Sequence, residues 1–304
     1  MRKTALRRVL ACPLEEGKEL APLSALGVGG RCEFFAEPSK LADVAALFQA
    51  RVLEGFPIYI LGGGTNTVFA DGEIEGVVLS TLRLSACCWS VEGSRLQGEL
   101  EAEAGYPLPL VVAAARKEGL GGAEFAQGIP GTLAGAVAGN AGAGGSSVGD
   151  LLDEVTTVEA NGEIRGWRRG EFHCSYRFFS LASPTRFIAA CKLKFWKKNP
   201  KEIQRDESAF LRARAGQPRG VRSAGCAFKN PPGDSAGRLL DACGCKGLRV
   251  GGAAVSGVHA NFLLNEGGAA GGDVFRLVTL CRDIVFGKTG ILLEPEIKFM
   301  GFPE

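Results

Sequence analysis

Residues 128–145 read GIPGTLAGAVAGNAGAGG, and residues 61–66 read LGGGTN. Glycine lacks a Cβ, so it accepts positive φ and lets a ligand approach the main chain closely. The shorter run follows FPIYIL at Phe56–Leu61, an apolar stretch that reads as a buried strand. A strand opening into such a loop is a common way to build a nest of backbone N–H groups around an anion. In the longer run Ile129, Leu133 and Val137 recur among the glycines, which argues against a flexible linker. Two such loops, separated by a compact α/β stretch, suggest main-chain amides wrapped around a pyrophosphate. Neither is a G-x-G-x-x-G between strand and helix with an acid about 20 residues on, and G-x-x-x-x-G-K-S/T is absent. A Rossmann site and a P-loop nucleotidase are therefore disfavoured.

The flanking sequence predicts a small βαβ-like unit around the shorter loop. Its parts are strands at Cys32–Ala36, Pro57–Leu61 and Val77–Ser80, and a helix over Ser39–Arg51 with Ser39 as N-cap. From Leu82 strands dominate, at Trp89–Val91, Arg95–Glu101, Val155–Glu159 and Thr185–Phe195. Asn161–Gly162 gives a hairpin turn into Glu163–Trp167. Pro109–Glu118 reads as an apolar-faced helix, and Thr132–Gly139 as a short helix whose N-terminus suits an anion. The polar stretch WKKNPKEIQR, Trp196–Arg205, is the expected linker. Beyond it come a helix at Glu207–Ala215, a strand at Ser223–Phe228, a helix at Ser235–Ala242 and a strand at His259–Leu264. A long helix within Gly272–Thr289 is expected to start at Asp273 as N-cap. The last strand, Ile291–Phe299, has no local partner and is expected to return to the first domain with Glu296. Residues 1–22 are charged and predict a peripheral helix or arm.

At 304 residues the chain suffices for two or three compact units. Its 35 basic and 33 acidic residues nearly cancel, which gives no reason to expect nucleic acid or a membrane as partner. The N-terminal MRKTALRRVLACP has no apolar core of about 7–15 residues before Cys12, because Arg7 and Arg8 interrupt it; a cytoplasmic protein is expected. The ten cysteines lack matching C-x-x-C or histidine pairs, so no metal is expected, and all but Cys226 read as reduced, packed thiols.

Further motifs are CAFKNPPG at Cys226–Gly233, HANFLLN at His259–Asn265, the dipeptide Tyr176–Arg177, and LEPEIKF at Leu293–Phe299. Together with GIPGTLAGAVAGNAGA, in this order and spacing, they resemble the UDP-N-acetylenolpyruvoylglucosamine reductase (MurB) family, from about Leu23 to Phe299. The resemblance implies an α+β protein. It would have a two-part FAD-binding domain of the vanillyl-alcohol-oxidase/PCMH type and a C-terminal α+β substrate-binding domain. The implied boundaries are 1–81 with the terminal strand 288–304, 82–199, and 200–287. The implied reaction is NADPH-dependent, FAD-mediated reduction of UDP-N-acetylglucosamine enolpyruvate to UDP-N-acetylmuramate for peptidoglycan synthesis, by a monomer. None of the three tyrosines falls in the third domain, so the chain resembles the shorter subtype, without a tyrosine loop closing over UDP.

Reducing an enolpyruvyl ether needs a hydride at the methylene carbon, charge stabilisation on the carboxylate, and an acid for the neighbouring carbon. Side chains cannot donate hydride, so a redox cofactor is needed. By resemblance it is FAD, held noncovalently and reduced by NADPH. Arg177 matches the family arginine on the enolpyruvyl carboxylate, which a guanidinium can grip in two places. Cys226 stands where the family usually has Ser as proton donor. An ordinary thiol, ionising near pH 8.5, is a stronger acid than an alcohol but a poorer hydrogen-bonder. Glu296 matches the family glutamate that assists the same step, with Glu294 as competitor two residues away. FAD is expected at Gly62, Gly63, Gly64, Thr65 and Asn66, and at Gly128, Ile129, Pro130, Gly131, Thr132, Asn140, Ala141 and Gly142. Substrate is expected at Tyr176, Lys229, Asn230 and Asn261, whereas His259 reads as structural. Two alternatives are a sugar or hydroxy-acid oxidase and a flavin-binding protein without catalysis. Residues 61–70 hold no His or Cys to attach a flavin, which disfavours the first.

Overall fold

The computed structural model describes Leu6, residues 10–91 and residues 97–303. Residues 1–5 and 7–9 of the expected N-terminal arm, and Arg95–Leu96 of an expected strand, lie outside the described residues; Leu14–Glu19 of that arm is a strand rather than a helix. The chain forms two compact units. One comprises Met1–Glu15, Phe34–Gly63 and Gly76–Arg214; the other comprises Glu16–Glu33, Gly64–Glu75 and Ala215–Glu304.

The first unit is built on an antiparallel sheet. Its order is Ile164–Arg168, Leu152–Val158, Phe187–Lys197, Gln97–Glu103 and Cys87–Val91, with Leu120–Gly121 pairing beside Phe187–Lys197. Leu152–Val158 shows why one side is wet and one dry. Val155 and Val158 are buried, while Asp153 and Glu154 reach solvent or the sheet edge. Ile58–Leu61 runs parallel to Val77–Ser80 in a separate pairing, as a crossover connection requires. The helix Leu41–Glu54, which leads into Ile58–Leu61, buries Val44, Leu47 and Phe48. Its N-cap is Lys40, whose side chain makes no cap, rather than the expected Ser39. Phe48, Phe56, Phe125, Phe179, Phe187 and Phe195 are fully buried in this core. Each such ring contributes about 1.5–3 kcal/mol by leaving water.

The predicted linker at Trp196–Arg205 is overturned. The strand continues to Lys197, and Pro200–Ala213 is a 14-residue helix. Asn199 is its N-cap and accepts from the Lys201 N–H, and Pro200 occupies the first turn, where a missing N–H costs nothing. Ile203 and Glu207 bury one face.

The second unit has its own core, including Leu26, Phe228, Leu240, Leu263, Leu277 and Val285. A four-stranded antiparallel sheet runs Arg222–Cys226, Phe262–Asn265, Ala253–Val255, Arg249–Val250. The helices Ala236–Ala242 and Gly271–Thr289 accompany it. Asp273 lies inside the second helix rather than at its N-cap; its carboxylate accepts from the Ala270 N–H at 3.0 Å. Asp71 also caps this end, accepting from Gly271 and Gly272 N–H at 2.8 Å each. The terminal strand is short, Lys298–Met300, and pairs in parallel with Thr67–Phe69. Residues 291–297 form no strand, apart from a bridge between Phe228 and Pro295.

Candidate active site

In the first unit the glycine runs meet. Gly62 follows the strand Ile58–Leu61, and a Cβ there would lie 2.7 Å from Thr132 Oγ1. Thr132 is the N-cap of the helix Leu133–Ala138 and accepts from the Gly135 N–H at 3.3 Å. Gly128 and Pro130 are exposed, while Gly62, Ile129, Gly131, Ala141 and Gly142 are half-buried, so a ligand can reach this main chain from solvent. Ile129 and Ala141 also pack on the core, which fixes the loop rather than leaving it slack.

Tyr176 and Arg177 form the two-residue tip of a hairpin whose arms pair Cys174 with Phe179 and Ser175 with Phe178. Arg177 has φ +53° and its Nη1 donates to the Gly142 carbonyl over 3.5 Å. Its guanidinium lies 5.4 Å from the Tyr176 ring centre. Asn140, φ +40°, is the other non-glycine residue with positive φ among the described residues. Its Nδ2 donates to the Ser175 carbonyl at 2.7 Å, and its Oδ1 accepts from the Gly149 N–H at 2.9 Å. Burial pushes the Cys174 thiol, three residues before the arginine, up in pKa against the pull of Arg169.

The second unit carries the other candidates. The adjoining half of the shorter glycine loop, Gly64–Asn66, belongs here. Gly64 has φ +64°, and a Cβ would fall 1.7 Å from the Leu23 carbonyl oxygen, so only glycine fits. Thr65 and Asn66 are half-buried. Asn66 Nδ2 donates to the Glu296 carbonyl at 2.9 Å, and the Lys298 N–H donates back to the Asn66 carbonyl at 3.0 Å.

Cys226 ends the strand Arg222–Cys226 opposite Phe262, and the register shifts between Ser223 and Cys226. Gly225, φ +78°, makes that bulge possible, and bulges of this kind re-aim the next side chain. Beyond it the Ala227 carbonyl accepts from the Glu296 N–H at 2.8 Å, which ties the Cys226 segment to the glutamate segment. Asn261 is 3% exposed, and both ends of its amide go to Phe228: Oδ1 accepts from the N–H at 2.9 Å and Nδ2 donates to the carbonyl at 2.8 Å. Asn261, expected to touch substrate, is instead buried and braces the Phe228 main chain. Asn230 Oδ1 accepts from the Ala236 N–H at 2.9 Å, at the start of a helix. Lys229 pairs with Glu294 at 2.5 Å.

His259 is a brace, in keeping with its reading as a structural residue. Its Nδ1 accepts from the Asn261 N–H at 3.2 Å, and its ring meets Phe262 edge-on at 4.9 Å. Burial holds its pKa below the usual histidine value, with the charge of Lys246 adding to the effect. The HANF spacing carried this signal, since a residue two before Asn261 can cap its amide.

Residues 217–300 match the model for the UDP-N-acetylenolpyruvoylglucosamine reductase C-terminal domain, and residues 32–166 match an FAD binding domain. The chain is 39% identical over 298 residues to the UDP-N-acetylenolpyruvoylglucosamine reductase of Geobacter metallireducens, covering 97% of each. It is 38% identical over 285 residues to that of Geobacter sulfurreducens, covering 93% of this chain and 92% of the relative. The crystal structure of the reductase from Thermus caldophilus matches with a TM-score of 0.78 at 32% identity, over 96% of this chain and 99% of that one.

Proposed function

The chain belongs to the UDP-N-acetylenolpyruvoylglucosamine reductase family, an FAD-dependent oxidoreductase of peptidoglycan synthesis, and we propose that it reduces UDP-N-acetylglucosamine enolpyruvate to UDP-N-acetylmuramate with NADPH. We read it as a monomeric cytoplasmic enzyme. The observation that carries this reading is the Asn140–Arg177 corner. Its two left-handed, non-glycine residues are joined to each other's segments. Strain of that kind persists only where the surroundings over-determine it, and it gathers at functional sites.

The glycine loops fit FAD: their main chain is reachable, and Gly62 and Gly64 stand where a side chain would collide. The main chain of Gly62–Asn66, and of Gly128–Thr132 with Asn140, Ala141 and Gly142, would line its site. Bound FAD supplies hydride transfer to the enolpyruvyl methylene carbon. Arg177 grips the enolpyruvyl carboxylate as negative charge builds there, a task for a permanently charged planar donor. Cys226 gives its thiol proton to the adjacent carbon, and Glu296 supports that proton transfer. Lys229, Asn230 and Tyr176 bind the sugar nucleotide. In domain terms, residues 1–81 with 288–304 and residues 82–199 serve FAD, and residues 200–287 serve the substrate.

The test is the absorption spectrum of the purified protein. Flavin bands should bleach with NADPH and recover on adding the enolpyruvyl sugar nucleotide. Recovery with a simple sugar or hydroxy acid instead would support an oxidase. Acid precipitation should leave all yellow colour in the supernatant; colour in the pellet would mean a covalent flavin.

A further inference from the structure

We infer that Asn140 is a positioning residue for Arg177, its side chain setting where the arginine hairpin stands. This rests on the reading of Arg177 as the carboxylate grip. Asn140 follows the helix Leu133–Ala138 in a two-bond terminus. The Asn140 N–H donates to the Val137 carbonyl at 2.9 Å, and the Ala141 N–H reaches back to the Ala136 carbonyl at 2.7 Å. That is the Schellman arrangement, and the left-handed position within it is the one where glycine is the usual choice. This chain, rich in glycine on both sides, places asparagine there, at φ +40°. The helix end does not require that side chain.

What the side chain does is visible in its partners. The residue is 4% exposed. A backbone N–H on one side and a carbonyl on the other leave a single assignment of its amide, Oδ1 toward Gly149 and Nδ2 toward Ser175. Ser175 is the last paired residue before the Tyr176–Arg177 tip. The contact from Arg177 Nη1 to the Gly142 carbonyl makes a second tether to the same short segment. Residues 140–142 therefore hold the arginine hairpin at both its neck and its tip. Each end of the Asn140 amide is engaged in this way, one Nδ2 hydrogen with Ser175 and Oδ1 with Gly149.

The test is Asn140→Gly in the full-length, FAD-loaded protein, with the two half-reactions followed by stopped flow. Glycine keeps the helix terminus and removes only the side-chain tethers. Flavin reduction by NADPH, the flavin spectrum and FAD affinity should stay within about twofold of the natural chain. Reoxidation by UDP-N-acetylglucosamine enolpyruvate should slow by roughly 10- to 100-fold at saturating substrate, the cost of a small misplacement of a catalytic group. Asn140→Asp is the second variant. It keeps the acceptor for Gly149 but sets an oxygen against the Ser175 carbonyl, and it should show the same split. Equal loss of both half-reactions, or loss of FAD, would overturn the inference in favour of a direct cofactor contact. Unchanged reoxidation in both variants would overturn it too. If the natural chain itself fails to be reoxidised by the nucleotide, it is the reaction assignment that fails, not this one.

Discussion

Lys229 and Glu294 are joined twice: the Lys229 N–H donates to the Glu294 carbonyl at 2.9 Å, and the ammonium pairs with the carboxylate at 2.5 Å. Glu294 is thereby occupied at the surface, with 68% of its side chain exposed, whereas Glu296 is half-buried and held by its main chain to Ala227 and Asn66. The two acids are two residues apart but differ in their surroundings. Glu296→Gln should slow reoxidation of the flavin by the enolpyruvyl substrate by roughly 100-fold, the low end of what loss of a proton-transfer group costs. Glu294→Gln should change it by less than about threefold, since an exposed ion pair is worth little. Reversed effects would make Glu294 the assisting acid.

Gly64→Ala should lose FAD. The new methyl would stand on the Leu23 carbonyl, and alanine is strained at φ +64°. The strain alone costs about 1–3 kcal/mol, so the loop must move. Purified variant protein should be pale and melt at lower temperature than the natural chain. A variant that purifies fully yellow would show that the loop is not part of the cofactor cradle.

Arg177→Lys should separate the half-reactions. A lysine reaches the same region with one charge but cannot form the paired, planar grip of a guanidinium. Flavin reduction by NADPH should stay near normal, and reoxidation by the nucleotide should fall by roughly 100-fold. Similar damage to both steps would mean that the arginine only supports the hairpin.

What was legible is local: the two glycine runs meet at Gly62 and Thr132, and the helices Leu108–Lys117 and Ala236–Ala242 fall close to where periodicity and Ser235 place them. What was not legible depends on partners far along the chain. Asn199–Pro200 is equally a loop breaker and a helix start; burial of Ile203, and of Glu207 against Arg116 at 3.0 Å, decides for the helix. The pairing of Glu294 depends on Lys229, 65 residues away. Asp273 resembles an N-cap, but Ala270 takes that position because Asp71, from a distant loop, already covers the helix end.

His259 should make the second unit sensitive to mild acid. Its folded pKa is lowered, first by burial, so the neutral ring is the form that the fold prefers. That contribution to stability is present above the unfolded value of about 6.5 and is lost as pH falls through the folded value, because the unfolded chain takes the proton first. Protonation would also turn the acceptor of the Asn261 N–H into a donor. Melting temperature should therefore drop between pH 7 and pH 5 by more in the natural chain than in His259→Asn. Parallel profiles would show that His259 does not carry this dependence.

The last prediction concerns Cys226. It follows a glycine bulge that re-aims it, lies opposite Phe262 and is half-buried, and its segment is tied to that of Glu296 through Ala227. If it is the proton donor, Cys226→Ala should leave flavin reduction intact and slow transfer to the enolpyruvyl group by roughly 100-fold or more. Cys226→Ser should keep substantial activity, since an alcohol can hold and pass a proton in the same place. The two active forms should then part at alkaline pH. A thiolate has no proton to give, so the natural chain should lose the second half-reaction as the thiol ionises, while Cys226→Ser should not. Alkylation should silence the same step, with the sugar nucleotide protecting. Mapping of the modified residue is needed, because nine other cysteines are present. If Cys226→Ala turns over at the natural rate, the donor is elsewhere, and Glu296 or a water becomes the better candidate.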